Sequence, residues 1–217
     1  MAPARASHQV FARRASGILI VRISPACVLL FTEHHPPLSH RLPSPGARPY
    51  NEAVIACVDV HYREPGAVAA GLWFSRWTDS VGSAEVVLPV AHVEPYQPGQ
   101  LYRRELPCLL AVLHAGPPAD IVVVDGYVWL GDEEHPGLGA HLYRALREKT
   151  AVIGVAKTSY PGVRLAQEIR RGRSRAPLYV TAAGIELSAA VGHILQMHGP
   201  YRIPTLLKRV DQLCRRG

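Results

Sequence analysis

Acidic residues within two apolar segments give the first indication of chemistry in this chain. Asp125 follows four apolar residues in the run 119–129, ADIVVVDGYVW, and Asp59 lies in the middle of the run 54–62, VIACVDVHY. A carboxylate that emerges from an apolar strand stays ionised only when a cation or several hydrogen-bond donors compensate for its lost hydration. A metal ion would compensate Asp125 in this way. The alternative is that the Asp125 side chain caps the turn that follows its strand.

Glu105 and Lys157 stand near the ends of two further predicted elements. Glu105 is close to the start of a helix predicted over 100–114, and Lys157 ends an apolar strand predicted over 150–157. Carboxylates without a nearby cysteine or a zinc-spaced histidine pair favour Mg²⁺ or Mn²⁺. Metal-bound carboxylates suit in-line displacement at phosphorus, in which Lys157 could orient water or neutralise charge. The reaction predicted is hydrolysis of a phosphodiester.

Three segments before the first helix predict an antiparallel meander. They are rich in β-branched and aromatic residues and cover 54–62, 68–77 and 84–93. The connections REPG and TDSVGS between them are short enough for hairpins. Asp59 therefore lies on the first strand of this meander.

The second half of the chain alternates between strands and helices. After Asp125, a helix is predicted over 140–149, a strand over 178–181, and helices over 185–197 and 205–215. A β–α–β–α–β succession predicts parallel strands. The predicted fold is α/β: a ribonuclease H-like mixed sheet, three antiparallel strands followed by parallel strands, flanked by helices. In that layout the strands of Asp59 and Asp125 are neighbours, and Glu105 can reach both residues from the intervening helix.

Composition points to one globular domain with an anionic partner. The 217 residues are 48% hydrophobic and carry a net charge of +7, which favours nucleic acid as the partner. No uninterrupted apolar run is long enough for a membrane-spanning helix. Cys27, Cys57, Cys108 and Cys214 show no CxxC spacing, so we expect buried free thiols in a reducing compartment and a cytoplasmic location.

Two segments allow more than one interpretation. Residues 1–50 are predicted to form a poorly structured N-terminal arm or linker before a domain over 51–217; the arm could dock a partner or direct targeting. Their apolar stretch, 17–32, resembles a signal peptide but is interrupted by Arg22 and Pro25. The arginine-rich segment 164–177 is either a solvated loop or a loop that contacts phosphate.

Five segments, in this order, resemble the endonuclease V family. They are VIACVDVHY, EPYQPGQLYRRELP, ADIVVVDG, HPGLGAHL and VIGVAKTSY, and they cover about 54–160. The resemblance implies a nuclease that cuts DNA or RNA near a deaminated purine, inosine, as part of nucleic-acid repair. It implies that Asp59, Glu105 and Asp125 bind the metal and that Lys157 is the accompanying catalytic lysine.

The resemblance also implies residues that contact nucleic acid. The segment 95–98, PYQP, is similar to the family's strand-separating wedge, which includes Tyr96 and Pro98. Gly99 and Gly126 would line a pocket for a flipped base, where glycine lets backbone groups approach a base edge. His135 would contact the substrate near the scissile phosphate, or is an ordinary surface histidine.

The chain departs from the family's pattern in the region expected to recognise the base. Val128 stands where the family has a second glycine after Asp-Gly, and WLGDEE lengthens the path to His135. Gly137 replaces the usual basic residue after His-Pro, and the segment 179–186, YVTAAGIE, lacks the family's His-Arg pair. Asp132, Glu133 and Glu134 could add a metal ligand or form a solvated loop. Trp129 is a core or rim residue, or a platform on which a base stacks.

Two functions are consistent with these residues. The first is a metal-dependent endonuclease of the endonuclease V type. The second is a non-catalytic or differently specific nucleic-acid-binding protein that keeps the nuclease fold. No protein partner can be inferred from the sequence, and no spacing distinguishes DNA from RNA as the substrate.

Overall fold

The structure is a computed structural model that describes residues 10–15, 18–23, 53–64, 66–95, 97–131 and 135–217. Its strands are β1 (Val10–Ala15), β2 (Ile18–Ile23), β3 (Ile55–Arg63), β4 (Gly66–Phe74), β5 (Ala84–Val90), β6 (Ile121–Asp125), β7 (Ala151–Ala156), β8 (Gln167–Ile169) and β9 (Leu178–Ala183). Its helices are α1 (Leu101–Ala115), α2 (Leu138–Ala145), α3 (Leu187–Gln196) and α4 (Thr205–Arg216).

All these strands form one mixed sheet, in the order β1-β2-β5-β4-β3-β6-β7-β9-β8. The pairs β3–β4 and β4–β5 are antiparallel, so the predicted meander is confirmed. The pairs β3–β6 and β6–β7 are parallel, as the alternation of strands and helices predicts. The last two strands, β9 and β8, then extend the sheet with antiparallel pairing. The three antiparallel strands followed by parallel strands agree with the predicted layout.

Two strands lie in the segment that the sequence leaves without regular structure. β1 and β2 pair antiparallel, and β2 pairs parallel with β5. The prediction of a poorly structured arm misses them; β2 covers the edge that β5 would otherwise expose, a partner that lies far along the sequence. The remaining residues up to 52 lie outside the described part of the chain. The domain boundary near residue 50 stays a prediction.

The sheet is covered on both faces because its central strands alternate between two hydrophobic clusters. Along β3, Ile55 and Cys57 belong to the cluster that includes residues of α3 and α4. Ala56 and Val58 belong to the cluster that includes residues of α1 and α2. Successive side chains of a strand point to opposite faces, so Asp59 continues the α3/α4 side of the sheet.

An ion pair with one buried partner fixes α4 across the meander. The Arg209 guanidinium donates to both carboxylate oxygens of Glu85 on β5, at 2.8 and 3.0 Å, and Glu85 is buried. Two parallel hydrogen bonds of this kind fix orientation as well as distance. This pair holds α4 over the strand that carries Asp59. Among the described helices, none has the length and apolarity needed to span a bilayer.

Candidate active site

The parallel pairing of β3 and β6 brings Asp59 and Asp125 together. Val58 is in register with Val124, so the next residues along the two strands, Asp59 and Asp125, stand side by side. Residues at equivalent positions of paired parallel strands point to the same face. Both carboxylates line one small cleft between the sheet and α4. The predicted meeting of these two residues is therefore found in the structure.

Lys157 reaches the same cleft from β7. Asp125 is in register with Val155, and Lys157 is two residues further along, on the same face. Its ammonium group donates to Asp125 Oδ2 in a short ion pair. The two side chains remain 43% and 39% exposed, so a bound substrate could reach this ion pair from solvent.

Glu105 approaches from the other layer. It lies in the second turn of α1, whose buried residues Cys108, Leu109 and Val112 pack on the α1/α2 side of the sheet. Burial and the nearby charges of Asp59 and Asp125 raise the pKa of Glu105 to about 7. The charges of Asp59 and Asp125 therefore act on Glu105, although it lies on the other side of the sheet.

The pKa of Asp59 is also raised, to about 6. Burial is the largest cause and the charge of Asp125 the next; the Val60 N–H, 2.8 Å from Oδ1, and the Lys157 ammonium act in the opposite direction. Buried like charges disfavour ionisation of one another. A cation in the cleft would relieve this repulsion.

Within the described ranges, no group of three or more His, Cys, Asp or Glu side chains is arranged closely enough to hold a metal ion. Asp59 and Asp125 come from the α3/α4 face, whereas Glu105 comes from a helix on the opposite face. The donor set nevertheless fits a hard cation, because all its atoms are carboxylate oxygens. Asp59, Asp125 and Glu105 are the residues that would hold such a cation.

Two side chains donate hydrogen bonds to the backbone around Lys157. The sequence analysis did not identify either of these residues. The Tyr127 hydroxyl donates to the Thr158 carbonyl at 2.8 Å. The Arg202 guanidinium donates to the carbonyls of Lys157 and Pro177. No sequence signal identifies these donors, because each lies more than 30 residues from Lys157 or Thr158 along the chain. Together they fix the backbone that carries the lysine.

Arg171 does not have either role proposed for the basic segment. It is only 6% exposed, and its guanidinium donates to the carbonyls of Met197, Gly199, Tyr201 and Arg202. The segment as a whole is thus neither a purely solvated loop nor a purely phosphate-contacting one. Arg171 fixes the α3–α4 connection, from which Arg202 reaches Lys157.

The expected base-contacting residues lie in two separate loops. Pro98 and Gly99 form an exposed turn ahead of α1, and Gly126 directly follows β6. Gly99 and Gly126 have φ values of +76° and +137°, and a Cβ at either position would meet open space. Glycine is therefore favoured there for its backbone conformation. Tyr96 and the acidic residues 132–134 lie outside the described residues.

The segment after Gly126 is folded back over β7. The Val128 N–H donates to Thr181 Oγ1 at 2.8 Å, and the chain crosses Gly154, where a Cβ would lie 2.6 Å from the Gly126 carbonyl oxygen. The Val128 side chain is fully buried. It fills the space beside Gly139, whose added Cβ would lie 2.7 Å from Val128 Cγ2. The valine that replaces the expected glycine therefore belongs to the core.

The loop that ends at Gly137 closes with a short β-bridge. Trp129 pairs with Pro136, and the Leu130 N–H donates to the His135 carbonyl at 2.8 Å. His135 is exposed. Gly137 packs so tightly that a Cβ would lie 2.5 Å from the Tyr127 carbonyl oxygen. A basic side chain cannot be accommodated at position 137 in this backbone.

Packing explains several residues that could have been functional. The half-buried Trp129 donates its indole N–H to the Ala182 carbonyl at 3.0 Å, consistent with a rim residue. His141 stacks on Tyr102 with ring centroids 3.6 Å apart. Cys57, Cys108 and Cys214 are buried free thiols, as predicted, and Cys27 lies outside the described residues.

Comparison with known proteins identifies the family. The Endonuclease V family model matches residues 38–183. An Endonuclease V of Streptomyces avermitilis is 32% identical over 81% of this chain and 85% of that protein. The chain belongs to the Endonuclease V family. The family confirms the predicted enzyme class, an endonuclease V-like hydrolase.

Solved structures of Endonuclease V share the fold. The crystal structure of the Streptomyces avermitilis enzyme aligns with a TM-score of 0.58 and 27% identity, over 78% of this chain and 82% of that one. Ciona intestinalis Endonuclease V, in complex with a 24mer DNA containing an inosine, aligns with a TM-score of 0.62 at 19% identity, over 76% of this chain and 85% of that one. The predicted ribonuclease H-like fold is therefore confirmed.

Proposed function

We propose that this member of the Endonuclease V family is a metal-dependent endonuclease that hydrolyses a phosphodiester near a deaminated purine. The observation that carries the proposal is the β3–β6–β7 register, which sets Asp59 beside Asp125 with Lys157 on the same face. A nuclease needs negative ligands for a cation and a positive group for the substrate phosphate at one place. The two aspartates would supply the negative ligands, and Lys157 the positive group.

Asp59, Glu105 and Asp125 would hold the cation, Mg²⁺ or Mn²⁺. The support is the all-oxygen donor set and the raised pKa values of Asp59, about 6, and Glu105, about 7. When bound, such a cation lowers the pKa of an attacking water and neutralises charge on the phosphate. The carboxylates must be deprotonated to bind it, so cation binding and proton release are coupled.

Lys157 would act on the substrate rather than on the cation. Its ammonium lies at the solvent-exposed side of the carboxylate pair, where the scissile phosphate must approach. A fixed positive charge beside a phosphate that gains negative charge stabilises the transition state. Tyr127 and Arg202 keep this charge in place because their side chains donate hydrogen bonds to the carbonyl oxygens of Thr158 and Lys157, respectively.

Specificity for inosine is supported more by the solved relatives than by the loop 126–137 of this chain. The Ciona intestinalis enzyme was solved with DNA that contains an inosine. In this chain Gly99 and Gly126 offer open backbone positions for a base edge, and Pro98 and Tyr96 would form the wedge. His135 would contact the substrate beside them. A role in nucleic-acid repair follows only if this specificity is retained.

A second function is favoured by one observation. Gly137 leaves no room for the basic side chain that is usual in the family, so the loop cannot make the phosphate or base contact of such a side chain. The alternative is a non-catalytic or differently specific nucleic-acid-binding protein with the same fold. The cytoplasmic location expected from the cysteine content stays a prediction.

The test is cleavage of end-labelled oligonucleotides by the full chain. DNA and RNA, single- and double-stranded, would carry one inosine, one deoxyuridine or no lesion, in Mg²⁺, Mn²⁺ or chelator. We expect metal-dependent cutting one nucleotide beyond the inosine. Equal cutting of lesion-free strands would overturn the specificity and leave the chemistry. Binding without cutting in either metal would favour the alternative function.

A further inference from the structure

A groove of about 590 Å³ opens beside the carboxylate cleft. The two share Lys157, Ile203 and Leu207 in their walls, so the groove continues the cleft along the surface of α4. Its other walls come from the basic segment and from the α3–α4 connection. A strand whose phosphate is cleaved at Asp125 would have a direct path into it.

Positively charged side chains line the groove, and only some of them have a hydrogen-bond or ion-pair partner in the described part of the chain. Lys157 and Arg202 are engaged, with Asp125 and with backbone carbonyls respectively. The side chains of Arg173 and Lys208 are exposed and make no hydrogen bond or ion pair with the part of the chain that the structure describes. Asp211 supplies negative charge to the described lining, and the Arg215 guanidinium, 3.0 Å away, offsets it.

In the basic segment, Arg173 lines the groove, whereas the neighbouring Arg170 and Arg171 do not. Arg170 pairs with Glu168 at 3.0 Å, and Arg171 points into the protein. Gly172 then turns the chain with φ of +60°, so close to the α3–α4 connection that a Cβ would lie 2.2 Å from the Pro200 carbonyl oxygen. Of three arginines within four residues, only Arg173 lines the groove.

An aromatic ring stands at the edge of the groove. Tyr201 is 70% exposed. Its backbone is held in place, because Arg171 donates to its carbonyl oxygen at 3.1 Å and to three other carbonyls in the same connection. An exposed ring on a fixed backbone, beside Arg173 and Lys208, is the combination that single-stranded nucleic acid uses.

We propose that this groove binds a single-stranded stretch of the substrate next to the scissile phosphate, with Arg173 and Lys208 on backbone phosphates and Tyr201 stacked on a base. The proposal rests on the proposed nuclease function, since it assigns the path of the same substrate. It gives the arginine-rich segment a phosphate-contacting role through one residue, Arg173. Most of the groove comes from residues after 183, beyond the part of the chain that the family model matches.

Salt dependence of binding provides the test. The full chain carrying Asp125→Asn, which we expect to bind substrate without cutting it, is titrated with a fluorescent single-stranded deoxyoligonucleotide that contains one inosine, between 50 and 200 mM salt. Removing one cation that binds a phosphate of a single strand reduces the slope of log K against log salt by about 0.7. Arg173→Ala with Lys208→Ala should reduce it by about 1.4 and weaken binding about 25-fold at 0.1 M salt.

The matched control is Arg170→Ala with Lys149→Ala, which removes the same charge from exposed sites outside the groove. We expect its slope to fall much less. Tyr201→Ala should weaken binding about 10-fold without changing the slope, and Tyr201→Phe, which keeps the ring, should not. Equal slopes for the groove variant and the control, or no binding at all, would overturn the proposal.

The nuclease function is judged separately, by cleavage with the unmodified chain in Mg²⁺ or Mn²⁺. Cleavage by that chain together with a groove variant that behaves like the control would overturn the groove alone. Groove-dependent binding without cleavage would support the groove and overturn the nuclease function.

Discussion

Two neighbouring regions of this protein, the carboxylate cleft of β3, β6 and β7 and the loop 126–137, are positioned in different ways. In the cleft, strand register places Asp59, in the middle of β3, beside Asp125 at the end of β6, with Lys157 just after β7 on the same face. In the described part of the loop, local packing positions the backbone: Val128 is part of the core, and Gly137 packs against a carbonyl oxygen.

Under the proposed function, reaction chemistry and base selection would therefore depend on separate parts of the structure. Strand register fixes the carboxylates, and it cannot shift without turning every side chain of the strand to the other face. The loop instead depends on packing at individual positions, such as Val128 in the core and Gly137 against the Tyr127 carbonyl. The chemistry can therefore persist while the specificity changes.

Lys157→Met tests the positive charge in the carboxylate cleft and should have a larger effect than any substitution in the loop. Methionine keeps the length of the side chain but removes the charge beside Asp125. We expect kcat for oligonucleotide cleavage to fall about 100- to 1000-fold, with KM little changed, because the charge acts mainly in the transition state. Lys149→Met, two residues before the start of β7, is the control, and this variant should cleave normally. An unchanged kcat in Lys157→Met would show that Lys157 takes no part in the reaction.

Gly137→Lys tests whether the loop can be returned to the family's pattern. A side chain at this position must displace the Tyr127 carbonyl, 2.5 Å from the new Cβ. We expect the free energy of unfolding to fall by about 2 kcal/mol and Tm by roughly 4–8 °C, with no gain in preference for inosine. Gly131→Lys, in the same loop but with its Cβ 3.7 Å from the nearest atom, should keep the wild-type Tm. A stable Gly137→Lys variant that gains inosine preference would show that the loop is not constrained as described.

The acidic cluster should make the metal-free protein less stable as pH rises. The pKa of Glu105 is about 7 in the folded protein against 4.5 for the ordinary group, and that of Asp59 about 6 against 3.8. Between these values the folded state binds more protons than the unfolded state, so stability is present at low pH and is lost as pH rises towards 7. In chelator, Tm should therefore decrease by a few degrees from this cause between pH 5 and pH 8.

Glu105→Gln separates this effect from other titrations. The amide cannot ionise, so the decrease in Tm should be smaller in this variant, whereas Glu168→Gln, an exposed residue paired with Arg170, should behave like the wild type. A decrease of the same size in Glu105→Gln would mean that Glu105 is not part of the buried acidic group.

Sequence reasoning succeeds where chemistry follows from local pattern. Asp125 ends an apolar strand and Asp59 interrupts another, and the order of the elements makes those strands neighbours, so the pair is predictable. β2 is not, because no hairpin or crossover pattern follows it in the sequence to indicate which strand it pairs with, and the pairing with β5 is non-local. Nor are the contacts of Arg171 and Arg202, since an arginine in a polar segment carries no sign of which carbonyls it will meet. Side-chain to backbone contacts across long separations depend on the final packing.

The most direct test of the account compares two variants of the same strand. Asp125→Asn, at the end of β6, removes a negative charge from the cleft. Asp120→Asn, just before β6, keeps an oxygen that can accept the Val54 N–H now bonded at 2.7 Å. In Mg²⁺ we expect cleavage of the inosine-containing strand to be lost in Asp125→Asn and retained in Asp120→Asn, with both proteins folded. Full cleavage by Asp125→Asn would contradict the account, because the reaction would then not depend on the carboxylate at its centre.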